Sequence, residues 1–295
     1  MALKFGLFAI NHGACGDPET AVRVARHAEA AGFESLWSGE HLVLPDPAPD
    51  GFPLAPTLPM LDTVVGLTLV AAHTSTVRIA SGIIVLPLRN PVVLAKELAS
   101  LDQVAGGRLI VGIGPGYVPA EFDAVGVALS ERSARTDDYI RAMRALWSMP
   151  EPAYKGRFVS FSEMNAYPRP VRESGPPIVV GAGGRLAARR AVTLANGWYG
   201  FGFDVERTRQ HLRNLRTAAE EYERPPELGP LEITVTPVGP LNQRVLEQYR
   251  ELGVDRLVLL PQLDAAHGDR HTPVPVDRIL RNIDHVARHY AGSGD

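Results

Sequence analysis

The residues of this chain that can do chemistry gather where apolar, strand-like runs end. "FESLWSGEH" closes on Trp37, Glu40 and His41, pointing from the wall of a fold toward its mouth. An imidazole there can shuttle a proton near neutral pH or hydrogen-bond a bound ring, because histidine titrates in that range without help. Asn11 and His12 follow the run "KFGLFAI", so His12 can face a substrate from the floor of any cup the strands enclose. For either histidine the blander reading is a polar loop residue. "RLIVGIGPGY" ends in Gly112, Gly114 and Gly116, which would leave room for a flat ring. A dinucleotide-binding turn fits poorly: the third glycine comes one position early, Pro115 interrupts the turn and no helix opens at once. "PPIVVGAGGR" sets Gly181, Gly183, Gly184 and Arg185 ahead of a helical stretch, where free N–H groups and the helix dipole attract an anion and Arg185 can add a charge. An ordinary strand-to-helix turn with a solvated arginine reads equally well. His267 and His271 have metal-pair spacing, but the intervening "GDR" and the following Thr-Pro argue for a loop, no third ligand accompanies them, and no metal is expected.

Something must hold these run-ends together. "KFGLF" reads as a buried strand; Asp17 then offers an N-cap, Pro18 the first helical position, Glu19 a charge at the positive helix end and Gly32 a stop. With "FESLW" this makes a strand, a helix and a strand. Six further strands follow at "VRIASGIIVLP", "RLIVGIG", "PPIVVGAG", "GWYGF", "LEITVTPVG" and "VDRLVLLP", separated by helical periodicity over 62–73, 90–105, 186–195, 205–222 and 243–252 and closed by 276–290. Eight strand-helix units predict parallel strands covered by helices, and eight is the number that closes a barrel. The expected fold is a (β/α)8 TIM barrel, with 1–295 as one domain. Two inserts leave strand C-termini, where barrel active sites are built: a proline-rich loop over about 43–60, and 115–175 with a helix over 133–147 and a hairpin around Gly156.

Composition excludes other classes. A formal net charge of -3 with interspersed signs gives no footprint for nucleic acid. No apolar run reaches the roughly 18 residues of a membrane span, and the single cysteine, Cys15, rules out an internal disulfide, so a cytoplasmic protein acting on a small molecule is expected.

The order "GFESLWSGEH", "IASGIIVLPLRNPVVLAKELASLDQVAGGRLIVGIGPGY", "PPIVVGAGG" resembles the luciferase-like monooxygenase superfamily, and within it the branch that uses the deazaflavin coenzyme F420. The likeness implies a ring held against a bulge at Gly82 and Ile83, often with a cis peptide, and a cofactor phosphate near Gly181, Gly183, Gly184 and Arg185. It also implies proton chemistry at His41 with Glu40, although members often have Asp-His there. Several members carry Glu where this chain has Tyr117, with Glu121 close by as a substitute. The resemblance thus implies hydride transfer between F420 and a small organic substrate near His12 and Trp37. The alternatives are an FMN-dependent, oxygen-using monooxygenase and a non-catalytic flavin-binding protein; a homodimer is in keeping with many members.

Overall fold

The computed structural model describes residues 3–262 and 274–291. His267 and His271 lie outside the described residues. In chain order the elements are β1 (Lys4–Leu7), α1 (Pro18–Ala30), β2 (Ser35–Ser38), α2 (Thr63–Ala72), β3 (Arg78–Ser81), β4 (Ile84–Val85), α3 (Pro91–Val104) and β5 (Leu109–Gly114). Then come α4 (Pro119–Ala124), α5 (Arg132–Ser148), β6 (Tyr154–Lys155), β7 (Ser160–Phe161), β8 (Ile178–Gly181), α6 (Arg185–Leu194) and β9 (Gly197–Phe203). The chain continues through α7 (Val205–Glu221), β10 (Glu232–Pro237), α8 (Gln243–Glu251), β11 (Arg256–Leu259) and α9 (Val276–Val286).

Local chemistry explains the boundaries. The Asp17 carboxylate accepts from Thr20 N–H at 2.9 Å, Pro18 starts α1, and the buried Ala21, Val24, Ala25 and Ala28 recur at helical spacing. Asn90 caps α3 by accepting from Val92 and Val93 N–H, with Pro91 as first residue.

The strands form a parallel sheet in the order β3, β2, β1, β11, β10, β9, β8, β5, β4, and it closes on itself where Ile79 and Ala80 of β3 pair with Leu109 and Ile110 of β5. Beyond the bulge at Gly82 and Ile83, β4 continues β3 and pairs Ile84 with Ile113 and Val85 with Gly114. Counting β3 and β4 as one interrupted strand gives eight, a closed (β/α)8 TIM barrel. The region 115–175, read from sequence as one insert, divides: α5 packs against α3 and α6 in the outer ring, and only its flanks, α4 and the β6–β7 hairpin, stand apart.

Leu36, Ile79, Val111, Val180 and Leu257 face the helices. Phe8, Trp37, Ala80, Ile110, Val179, Tyr199 and Val258 fill the barrel itself. At the N-terminal end of the strands the fully buried Arg256 guanidinium donates to both Glu34 carboxylate oxygens, at 2.7 and 2.9 Å, to Thr234 Oγ1 at 3.0 Å, and contacts Glu232. This cluster fills the end of the barrel opposite the C-terminal ends of the strands.

Candidate active site

At the C-terminal end of the strands lies a cavity of about 500 Å³, within the usual range for a cofactor or drug-sized ligand. Phe8, Gly82, Ile83, Gly114, Gly181 and Tyr199 contribute to its wall, and Pro53, Leu54, Leu58 and Met60 of the proline-rich loop cover it. Asn11 secures that loop: Leu61 N–H donates to the Asn11 carbonyl at 2.8 Å, and Gly13 N–H donates to the Pro59 carbonyl at 3.0 Å.

The Gly82–Ile83 peptide is cis, at the place the family resemblance implies. Room for this bulge comes from the glycines around it. A Cβ on Gly114 would stand 2.7 Å from Ile83 Cδ1, and one on Gly181 would stand 2.6 Å from Ile83 Cγ2. The ladder therefore seats the Ile83 side chain, and the ring-sized space opens in front of it. Gly112 differs: its Cβ would meet the Ser81 carbonyl oxygen at 1.9 Å, and it does not line the cavity. Its role as a cofactor contact is corrected to close packing of β5 on β3, reinforced by Ser81 Oγ, which donates to the Gly112 carbonyl at 2.8 Å and accepts from Gly112 N–H at 2.9 Å.

His41 and Glu121 meet across 80 positions of sequence. His41 Nδ1 lies 3.1 Å from Glu121 Oε2, and Leu42 N–H donates to Glu121 Oε1 at 2.8 Å. Glu121 sits on α4, a short helix that sequence periodicity did not reveal because six residues span less than two turns. Its side chain is 1% exposed, and His41 lines the cavity. Tyr117 crosses the His41 ring edge to face at 6.2 Å, with Phe52 on another side at 5.8 Å.

Glu40 takes another course. Its Oε2 accepts from Val85 N–H at 2.5 Å, its Oε1 accepts from Arg89 Nε at 3.0 Å, and Arg89 Nη2 also reaches Asp62 at 2.5 Å. Burial raises the Glu40 carboxyl above its ordinary range, against the opposing pull of Arg89. Glu40 lines the cavity, but both its oxygens are held by partners, which brace the end of β2 against β4 and α2 and leave neither oxygen free for the expected proton transfer. Trp37 is corrected likewise. It is fully buried beneath the bulge, where a Cβ on Gly82 would meet its Cε3 at 3.0 Å, and its Nε1 donates to Ser35 Oγ at 2.8 Å. It supports the cavity wall from behind without lining it.

His12 does line the cavity, with Nδ1 3.1 Å from Asn11 Oδ1. Burial first, and His41 second, lower its pKa to about 4, so it is uncharged at neutral pH. Of the expected anion site, Gly181 and Gly183 line the cavity, and Gly184, at φ +88°, precedes α6 without a side-chain cap. Arg185 is corrected: 83% exposed, it pairs with Glu221 at 3.2 Å on the outside. Arg207 lines the cavity instead, its guanidinium 4.1 Å above the Phe203 ring. Sequence reading missed Arg207, Phe8, Tyr199, Phe201 and Phe203. Tyr199 and Phe201 carried a signal, since they share one face of a period-two strand; the register shift at Gly202 then puts Phe203 out of that alternation. Among the described residues no group of three or more His, Cys, Asp or Glu side chains is placed to hold a metal ion, and no helix is long and apolar enough to cross a membrane.

A parallel barrel with a deep apolar cup, a backbone bulge in its wall and a histidine-carboxylate pair at its rim is a scaffold for holding a flat cofactor beside a small molecule. The luciferase-like monooxygenase profile matches residues 3–254, and the chain belongs to that family. An uncharacterised protein of Mycobacterium tuberculosis is 30% identical over 249 residues, covering 81% of this chain and 86% of that protein. An FMNH(2)-dependent dimethylsulfone monooxygenase of Pseudomonas putida is 29% identical over 133 residues, 44% of this chain and 37% of that one. Among solved structures, an F420-dependent secondary alcohol dehydrogenase in complex with an F420-acetone adduct superposes with a TM-score of 0.76 at 17% identity, over 100% of both chains.

Proposed function

We propose that this protein is an oxidoreductase that transfers a hydride between coenzyme F420 and a small organic substrate held under the proline-rich loop. The observation that carries the reading is the His41–Glu121 pair, joined at 3.1 Å on the rim of a cavity walled by the Gly82–Ile83 bulge. The residues fit a flat ring carrying an anionic tail: Ile83 presents an apolar backing, Tyr199 and Phe201 lie close by, and the uncapped start of α6 and Arg207 offer positive charge. When bound, the coenzyme supplies the hydride chemistry. The chain's own part is positional and protic. Glu121 fixes the His41 ring through Nδ1, leaving Nε2 to take up or release the proton that accompanies hydride transfer. Phe8, Leu54 and Leu58 keep water away.

The test is fluorescence titration with F420 and with FMN, followed by turnover with and without oxygen. F420 binding with oxygen-independent turnover is expected. Glu121→Gln should lower kcat by about 100-fold or more with little change in cofactor affinity; unchanged kcat would remove the pair from the mechanism. A second reading, an FMN-dependent monooxygenase, is favoured by the similarity to the dimethylsulfone enzyme, and FMN binding with oxygen-dependent turnover would establish it. Binding of a cofactor with no turnover of any candidate substrate would instead favour a binding protein without catalysis. The chain is also proposed to work as one domain in the cytoplasm, without nucleic acid or membrane; a homodimer is to be checked by sedimentation.

A further inference from the structure

Asn11 determines what its neighbour His12 can recognise. Its side chain is fully buried, with Nδ2 donating to the Gly39 carbonyl at 2.9 Å and the Leu61 carbonyl at 2.8 Å. Gly39 N–H donates back to Asn11 Oδ1 at 2.9 Å. A flipped amide would set its oxygen against two carbonyl oxygens and its NH2 against an N–H, so three backbone groups lock the orientation. Oδ1 is therefore an acceptor, and the His12 ring nitrogen 3.1 Å away must carry its hydrogen on Nδ1. An uncharged imidazole with its hydrogen there has a bare lone pair at Nε2. That atom has no hydrogen-bond partner among the described residues, and His12 lines the cavity.

The two cavity histidines are thus set up differently. His41 is backed by a carboxylate, an acceptor with Oε2 3.1 Å from its Nδ1. His12 is backed by a neutral amide and sits in T-shaped contact with Phe8, 5.6 Å between ring centres, so it can only accept. Phe8 against the ring offers no donor, and Leu54, Leu58 and Phe201 add apolar lining to a cavity whose polar members include His41 and Arg207.

We propose that His12 Nε2 accepts a hydrogen bond from a hydroxyl of the substrate, so that this site takes predominantly apolar alcohols and discriminates against analogues in which that hydroxyl is capped. This rests on the reading of the cavity as a substrate site. A site shaped to bond a hydroxyl rejects a ligand without one because its own polar atom is left unpaired.

The experiment is 15N NMR of the histidine rings in the full-length protein, with His12 assigned by its loss in His12→Gln. The expected spectrum has Nδ1 protonated and Nε2 bare; a hydrogen on Nε2 overturns the proposal. Cyclohexanol and methoxycyclohexane are then titrated, with and without F420. Cyclohexanol should move the Nε2 resonance and bind at least about tenfold more tightly than the ether, and His12→Phe should abolish that preference. Equal affinities in the natural protein, a preference that survives His12→Phe, or no movement of Nε2 by cyclohexanol overturns it, as does an Nε2 shift produced by F420 alone that the alcohol leaves unchanged. The tautomer is read without cofactor, so failure to bind F420 or FMN counts against the proposed enzyme and leaves the tautomer result standing.

Discussion

His12 is held where its charge is unwelcome, and that has a cost in acid. In the unfolded chain it titrates near 6.5; in the folded protein burial, helped by His41, brings it to about 4. Between those values the unfolded chain binds a proton that the folded one does not, so this contribution is complete above pH 6.5 and is lost as pH falls toward 4. The loss amounts to about 3 kcal/mol. Urea unfolding across that window should show a steeper decline for the natural protein than for His12→Phe; parallel profiles would mean that His12 titrates normally. His12 and His41 were both recognisable from their places after strand-like runs. What those runs could not reveal is the atom behind each ring. Asn11 is the adjacent residue and its amide was in plain view, yet the bonds to Gly39 and Leu61 that orient it come from distant segments.

At the scale of elements, the glycines of β5 and β8 decide how the barrel wall is made. Gly112→Ala would put a methyl 1.9 Å from a backbone oxygen of β3, and no side-chain rotation can relieve that. A loss of about 3 kcal/mol or more is expected, read as a lower melting temperature or insoluble protein. Gly181→Ala meets only the Ile83 side chain, so it should fold with a smaller loss and weaken cofactor affinity by about tenfold as the bulge shifts. If both variants melt alike, the bulge is more yielding than its packing indicates. The sequence marked these glycines as leaving room for an approaching group, a flat ring, because a glycine within a strand has little other use. It misidentified the approaching group: at Gly112 it is Ser81, and at Gly114 and Gly181 it is Ile83. Strand register sets that, and a period-two pattern fixes which face a residue takes without fixing its neighbour across the sheet.

At the scale of the whole molecule, the barrel floor is closed by Arg256 and its carboxylates while the mouth opens to a cavity roofed by the loop. A ligand that fills this cavity binds the folded chain alone. F420, or FMN under the second reading, supplied at about 100 times its Kd should therefore stabilise the fold by about 2.7 kcal/mol and raise Tm by several degrees. Thermal melts with each cofactor check this, and Tm unmoved by both would count against the cavity as a cofactor site.

By itself the sequence determined the eight-fold alternation of strand and helix, the caps at Asp17 and Asn90, and the proline-rich cover. These follow from side-chain periodicity and backbone preference over a few residues, and they sufficed for a closed barrel. Only the tertiary structure decided which polar groups meet. Glu121 reaches His41, Glu40 is held at the cavity wall by Arg89, Trp37 sinks beneath the bulge, and Arg207, not Arg185, lines the cavity. Each outcome depends on how a loop returns and on the direction a side chain takes at a strand end, and those are set by contacts between segments far apart in the chain.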